Sequence, residues 1–530
     1  MSKCFKIFRK EFNYIMLKEY DQLMKRLEKV MAFQTALTLF EWDSETLAPL
    51  ESMELTSKTI GVLSNEYFTN LINDDVKKLI SALSEKKKWN ELEFNQKAII
   101  KNIKKTYEEM EHIPPEEYRA YKELTAKAPG IWTKAKNKKS FEDFKACLDE
   151  IIQYQKKFAG YRANYTSKHP NTEQKDVNSV LPYDVLLNDF EEGFNIQILD
   201  EFFQKIKETV IPLLKEVTKK KDTIDKAYNH EFYDIEKQKE FCNYICSYVG
   251  FDFNRGVVAE SAHPFTTNLH NRDVRITTHY YEKNLESAIF SIIHESGHGI
   301  YEMHIDDSIT QTPVGGGTSM GMHEAQSRFF ENVIGRSESF WVPLYPKLEA
   351  IFPNQLKDIS LDQFIKGINK ATPNLIRTEA DELTYPLHIM IRYEIEKMIF
   401  AGEVDTNDLP KIWNQKYEEY MEIAPQHDGE GILQDIHWAG GDFGYFPSYA
   451  IGSAIAAQIY YHMSSIMPID KYLSDGNLTP VREYLINHIH KYGATKNTNE
   501  ILMDMMQEEL NVDYYILYLT EKYTKLYDLA

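Results

Sequence analysis

The densest chemistry in the sequence lies in Ile292-Ile-His-Glu-Ser-Gly-His-Gly-Ile300, where His294 and His298 stand four residues apart. On a helix that spacing projects both imidazoles from one face, one turn above the other. Two neutral imidazoles so placed can share one Zn²⁺, and Glu295 can act as general base on the water such an ion activates. Gly297 and Gly299 are poor helix formers, so they imply close approach of a neighbouring backbone or of substrate. A hydrolytic zinc site takes three protein ligands and keeps one position open. Glu324, 26 residues after His298, is the candidate third ligand. It sits in Gly315-Gly-Gly-Thr-Ser-Met-Gly-Met-His-Glu-Ala-Gln326, a glycine-rich loop running into a helical stretch over 323–334. His323 beside it is a rival donor, and the dipeptide leaves that choice open.

Two later segments carry further candidates. Asn374 to Tyr385 reads as helical and puts Arg377 and Asp381 one turn apart. Such a pair is either an intrahelical ion pair worth about a few tenths of a kcal/mol or an Arg fork for a peptide's terminal carboxylate. Gly431 to Tyr449 is dense in glycine, aromatic and polar residues. Within it His437, Tyr445 and Tyr449 are candidate donors to an oxyanion, or else parts of a packed aromatic loop.

These residues need a scaffold, and the composition says which kind. The chain has 530 residues, ample for a large core, with 43% hydrophobic and 27% charged residues and few prolines and glycines. That mix favours helix. Apolar residues recur near a 3.6 period over 20–47, and amphipathic stretches follow near 57–73, 92–110, 141–162 and 199–224. Connections at Ile113-Pro-Pro and Ala128-Pro-Gly separate them. Between about Ser261 and His279 the pattern changes. His263-Pro-Phe265 and Asp273 to Thr278 alternate polar with apolar or β-branched residues, which implies short strands. Helical patterning resumes near Glu286. A mainly α protein with one small sheet beside its chemistry is expected, without repeats or an internal linker.

A formal net charge of −20 argues against nucleic-acid binding, which needs clustered Lys and Arg. Four cysteines make no disulfide framework and point to a reducing, cytoplasmic setting. No apolar run approaches the length of a membrane span, and residues 1–16 read as an N-terminal extension.

The motifs taken together resemble the thermostable metallocarboxypeptidases of the carboxypeptidase Taq family. The likeness is carried by His263-Pro-Phe265, Asp273-x-Arg-x-Thr277, His294-Glu-x-x-His298, His323-Glu-Ala-Gln326, Ile376-Arg-x-x-Ala-Asp381 and Gly431-x-x-Gln-Asp-x-His-Trp438, in that order. Trp42-Asp-Ser-Glu-Thr46 extends it toward the start. Ala325 departs from the Ser or Gly that the family motif carries there. The resemblance implies one domain over 17–530, a large helical metallopeptidase fold with two lobes around a long central groove, and a homodimer. It implies release of residues one at a time from free C-termini of peptides, with broad specificity. It further implies His294, His298 and Glu324 as ligands of one Zn²⁺, cobalt or manganese able to substitute, and Glu295 as catalytic acid/base. Arg377 is implied as a contact of the substrate carboxylate, and the Gly431–Trp438 segment as one end of the groove. His437 and Tyr445 as oxyanion donors, and Tyr449 as a substrate contact, follow more loosely by analogy with other helical peptidases of this motif. Substrate is expected to pair as an added strand along Arg275–Thr278, with Arg275 in contact with it. A helical endopeptidase with the same site is the rival enzyme reading, and an inactive helical scaffold is the rival outside enzymes.

Overall fold

The computed structural model describes residues 2–168, 181–261 and 263–529. Met1, residues 169–180, Ala262 and Ala530 lie outside the described residues, as do the side chains of 2–17, so the expected extension over 1–16 is described only as backbone. Helices account for about 69% of the chain, and the described strands form one three-stranded sheet. The periodic stretches fold as helices at Ser2–Thr46, Met53–Leu71, Phe94–Met110, Glu142–Lys168 and Ile196–Lys219. Local chemistry fixes their starts: Glu93 and Gln96 form a capping box, and the Asn195 side chain accepts from the Ile198 N–H. One expected break is absent. Pro129 lies inside the helix Pro115–Lys138, because Ala128 and Ala135 on its packed face are fully buried and tertiary contact outweighs the lost backbone bond.

Most buried apolar side chains form one continuous core that runs from Tyr121 to Tyr527 and includes the His294 helix. A smaller core joins Leu23, Leu27 and Val30 of the first helix to Val76, Ile80, Leu83 and Ile99 to Ile103, and reaches Ile305, Ile309 and Val314.

The sheet departs from expectation in three ways. It contains a first strand, β1 (Gly256–Glu260), whose half-exposed residues show no clear alternation. His263 to Phe265 is the bend before β2 (Thr266–His270) rather than a strand itself. The third strand, β3 (Asp273–Thr278), pairs parallel with β1 and antiparallel with β2, giving the order β1-β3-β2. β3 is therefore the central strand, its backbone groups taken on both sides. It has no free edge for a substrate strand, and the sheet's edges lie on β1 and β2 instead.

Candidate active site

The helix Leu285–Met303 carries the first two candidate ligands through the middle of the large core. Asn284 caps its start by accepting from the Ser287 N–H, and Ile289, Ile292, Ile293 and Ile300 are buried to 1% exposure or less. A helix apolar on nearly every face belongs in an interior, so its few polar groups are there for a reason. A second helix, Met320–Arg328, starts on a Ser319 cap and carries Glu324. The two helices meet at Gly297, where an added Cβ would lie 2.7 Å from the Gln326 carbonyl oxygen and 2.8 Å from Ser327 Cα. Gly452, on the helix Pro447–Ile466, is equally close to the Glu324 side chain.

This packing brings a donor atom from each of His294, His298 and Glu324 within 4.8 Å of one another. Glu324 Oε2 lies 3.6 Å from His294 Nε2 and 3.4 Å from His298 Nε2. The far nitrogens of both rings are committed elsewhere. His294 Nδ1 donates to Glu331 Oε2 at 2.8 Å. His298 Nδ1 lies 2.6 Å from His323 Nδ1, and His323 Nε2 lies 2.7 Å from Glu302 Oε1. A chain ending on a carboxylate orients the protons toward it, so His298 donates to His323 and His323 donates to Glu302. Each ring then turns its Nε2 toward Glu324, the orientation that metal-binding imidazoles use. His323, the rival donor in sequence, has both nitrogens occupied in this relay.

Charge follows the geometry. Burial alone would raise the Glu324 carboxyl, but Arg328 (Nε to Oε1, 2.6 Å) and the two imidazoles hold it well below the usual carboxylate range. Glu331 is drawn down to about 2 against its burial by Arg328 and His294. Burial pushes His298 down to about 3, which keeps it neutral. Burial also lowers His294, yet Glu324 and Glu331 outweigh it and leave that ring raised. Glu295 is different: burial raises it, opposed by His294 and by Thr266, whose hydroxyl donates to Oε2 at 2.6 Å. A buried carboxyl with a raised proton affinity beside a cation site is suited to accept and return a proton.

The Arg377 region differs from its sequence reading. Residues 377–379 form a single 3₁₀ turn, and regular helix begins only at Tyr385. Asp381 accepts from the backbone N–H groups of Thr372, Leu383 and Thr384 and has no ion pair with Arg377. Turn chemistry at Asp381 competes with helix and wins. Arg377 instead donates from Nε and Nη2 to Asp435 at 2.9 Å each, and from Nη1 to the Tyr385 hydroxyl at 3.1 Å. Arg392 grips the other oxygen of Asp435 at 2.6 and 2.7 Å. The Arg377 guanidinium lies 5.0 Å from the centre of the Tyr449 ring.

His437 Nε2 is 3.2 Å from the Tyr449 hydroxyl, while its buried Nδ1 has no partner among the described residues. Burial, aided by Arg377, pushes His437 down to about 3. Tyr445 stacks edge-on against Tyr449, with ring centres 5.1 Å apart, and burial raises its hydroxyl to about 12. Both are thus neutral donors at pH 7. Arg275 lies on β3, forked to Asp273 at 2.9 and 3.0 Å and set 5.7 Å from the Trp42 ring, which packs edge-on against Phe265. Trp42, far from the others in sequence, joins Phe265, Asp273 and Arg275 in one structural group.

Several residues beside the ligands escaped the sequence reading. Glu302 lies four residues past His298, on the same helical face, and that period was the available signal. Glu331 follows Glu324 by seven residues, two helical turns on, although the chain widens there into a π-helix over Phe329–Ile334. Thr266, Tyr385 and Arg328 gave no signal of their own. Tyr385 bridges the two halves of the site, its hydroxyl on Arg377 and its ring 4.2 Å from the Arg328 guanidinium.

The model of the carboxypeptidase Taq (M32) metallopeptidase family matches residues 22–523. Carboxypeptidase 1 of Bacillus subtilis (strain 168) is 44% identical over 511 residues, covering 96% of this chain and 98% of that protein. The solved M32 carboxypeptidase from Deinococcus radiodurans R1 superposes with a TM-score of 0.90 at 27% identity, covering 96% of this chain and 100% of that one. The Pyrococcus furiosus carboxypeptidase, solved in a form called Apo-Mg, gives 0.88 at 32% identity, with 95% and 99% covered.

Proposed function

The chain belongs to the carboxypeptidase Taq (M32) metallopeptidase family, and on that footing we propose that one catalytic Zn²⁺ is held by His294, His298 and Glu324, with Glu295 as general base. The enzyme is a metallocarboxypeptidase, a hydrolase acting on peptide bonds. One observation carries the site assignment: two Nε2 atoms and a carboxylate oxygen converge while each imidazole's Nδ1 is committed to another partner. Two imidazoles and a carboxylate are a common zinc donor set, and cobalt or manganese suits the same donors.

When bound, the ion supplies Lewis-acid polarisation of the attacking water and the scissile carbonyl. Glu295, steadied by Thr266, takes the proton from the water and returns it to the leaving amine. Tyr445 and His437 donate to the carbonyl oxygen as it gains charge. Arg377, held in place by Asp435, receives the terminal carboxylate, and the Tyr449 ring lines that pocket. Arg275 acts at one remove by fixing Trp42 and Asp273. Residues 17–530 are taken as a single domain of two lobes around the substrate groove, as the family resemblance implies. Broad tolerance of substrate side chains is expected where main-chain contacts dominate. We place the enzyme in the cytoplasm as a homodimer. Unpaired Cys147, Cys242 and Cys246 fit a reducing compartment, and the dimer follows the family resemblance.

The test is a matched pair of N-acylated peptides, one ending in a free carboxylate and one in an amide. Stepwise loss of C-terminal residues from the first alone, abolished by chelator and restored by Zn²⁺, is the expected result. Internal cleavage of both would favour an endopeptidase and overturn the reading.

A further inference from the structure

Glu396 is fully buried on the helix Tyr385–Ala401 and forms no ion pair among the described residues. Three donors meet on it instead. Trp438 Nε1 donates to Oε1 at 2.7 Å, while the Gly444 N–H and the Tyr183 hydroxyl donate to Oε2 at 2.7 and 2.8 Å. Burial raises the proton affinity of this carboxyl, and the three donors oppose the rise. An acid buried without a counter-ion is costly, and it persists where buried donors have no other acceptor.

Two of the donors flank the candidate oxyanion groups. Trp438 directly follows His437, and Gly444 directly precedes Tyr445. Between them the chain reverses, with Gly441 at φ +83° and Gly444 at φ +88°. Both ends of the reversal hang on one carboxylate, Trp438 on Oε1 and Gly444 on Oε2. His437 and Tyr445, eight positions apart in sequence, thereby bring their ring centres to 5.4 Å. The third donor fixes where the reversal sits. Tyr183 belongs to the helix Pro182–Phe190, and a Cβ at Gly444 would lie 2.8 Å from the Leu186 carbonyl of that same helix. Gln155 holds the tip of the reversal, donating to the Gly441 carbonyl at 2.6 Å, and Glu396 holds its two ends. Only a carboxylate suits three donors. A Gln in its place would turn its NH₂ toward the Trp438 or the Gly444 N–H, and one end would come loose.

We propose that Glu396 is a positioning residue for the hydrolytic step: by tying Trp438 to Gly444 it sets His437 and Tyr445 at the spacing that lets both donate to one oxyanion. Being fully buried, it acts through those two side chains. The proposal rests on the reading of His437 and Tyr445 as oxyanion donors and adds the group that holds them together.

The experiment compares the zinc-loaded parent, Glu396→Gln, Tyr445→Phe and the double variant on one N-acylated tripeptide with a free C-terminal carboxylate, with zinc content measured for each. Glu396→Gln should keep its zinc and leave KM within about twofold, since neither the ligands nor Arg377 changes. Its kcat should fall by about tenfold, part of the roughly 10²–10³ that one oxyanion donor is worth. In the Tyr445→Phe background the same substitution should cost about threefold or less, because one of the groups it positions is already gone. A merely structural role predicts the same loss of kcat in both backgrounds, or lost zinc with a raised KM. Either of those results, or an unchanged kcat in Glu396→Gln, would overturn the proposal. Trp438→Phe frees one end of the reversal and takes the place of Glu396→Gln in the same cycle if that variant folds poorly. If Tyr445→Phe alone leaves kcat unchanged, the donor reading itself fails and takes the proposal with it.

Discussion

Glu295 and Glu324 are both buried to 5% exposure, yet their neighbours give them opposite proton affinities. Arg328 and two imidazoles keep Glu324 ionised, as its proposed role of metal ligand requires, whereas Glu295 has only a threonine hydroxyl and one imidazole to offset its burial. Pushing two carboxyls apart in this way fits the separate tasks proposed for them. Glu295→Gln should keep the metal, since it removes no ligand, and should lose turnover by roughly 10²–10⁴-fold, the usual worth of a general base. Single-turnover kinetics with elemental analysis checks both halves, and near-wild-type turnover would remove Glu295 from the mechanism. Glu331 acts one contact further out by setting the His294 tautomer. Glu331→Gln keeps an acceptor but loses the charge, and metal affinity should fall by about tenfold or more in a competitive chelator titration.

At the scale of elements, the site is a contact between two helices that glycine allows to touch. His294 and His298 lie on one, Glu324 on the other, and Gly297 abuts the backbone at Gln326 and Ser327. Gly297→Ala would add a helix-favouring residue and still be harmful. Its Cβ would press on backbone, forcing the helices apart at a cost of about 1–3 kcal/mol. Glu324 would retreat from the imidazoles, so a lower melting temperature and weaker metal binding should appear together. Loss of one without the other would argue against a shared cause. The same reasoning explains why expected elements failed at two places. Pro129 stays helical because its neighbours are buried, and residues 377–381 leave the helix because Asp381 satisfies three backbone N–H groups as a turn.

Across the whole molecule, Asp435 ties together parts distant in sequence: Arg377 before the helix Tyr385–Ala401, Arg392 within it, and the loop that leads to His437. Burial would raise its carboxyl, but the two guanidinium groups hold it far below the usual range. The folded state thus binds this proton more weakly than the unfolded chain. The stability it supplies is complete above about pH 4 and is lost as pH falls below that value. Asp435→Asn should destabilise by about 3–5 kcal/mol near neutrality, because it leaves buried cations without their anion. The gap between variant and parent should narrow as pH drops below about 4. Denaturant titrations at several pH values measure this, and a gap that stayed constant or widened on acidification would contradict it.

The sequence by itself determined the helical class, the face that joins His294 to His298, and the need for close contact at Gly297. Each depends on neighbours within a few residues, which a period or a small side chain reveals. Even so, β1 escaped it because a half-exposed strand shows no alternation. Only the tertiary structure decided that His323 turns toward His298 and Glu302, that Arg377 pairs with Asp435, and that β3 is the sheet's centre. Those outcomes join residues between 21 and 58 positions apart, or strands in non-sequential order. Nothing local encodes such pairings. They follow from which buried charges and strand edges can be satisfied at once when the whole core closes.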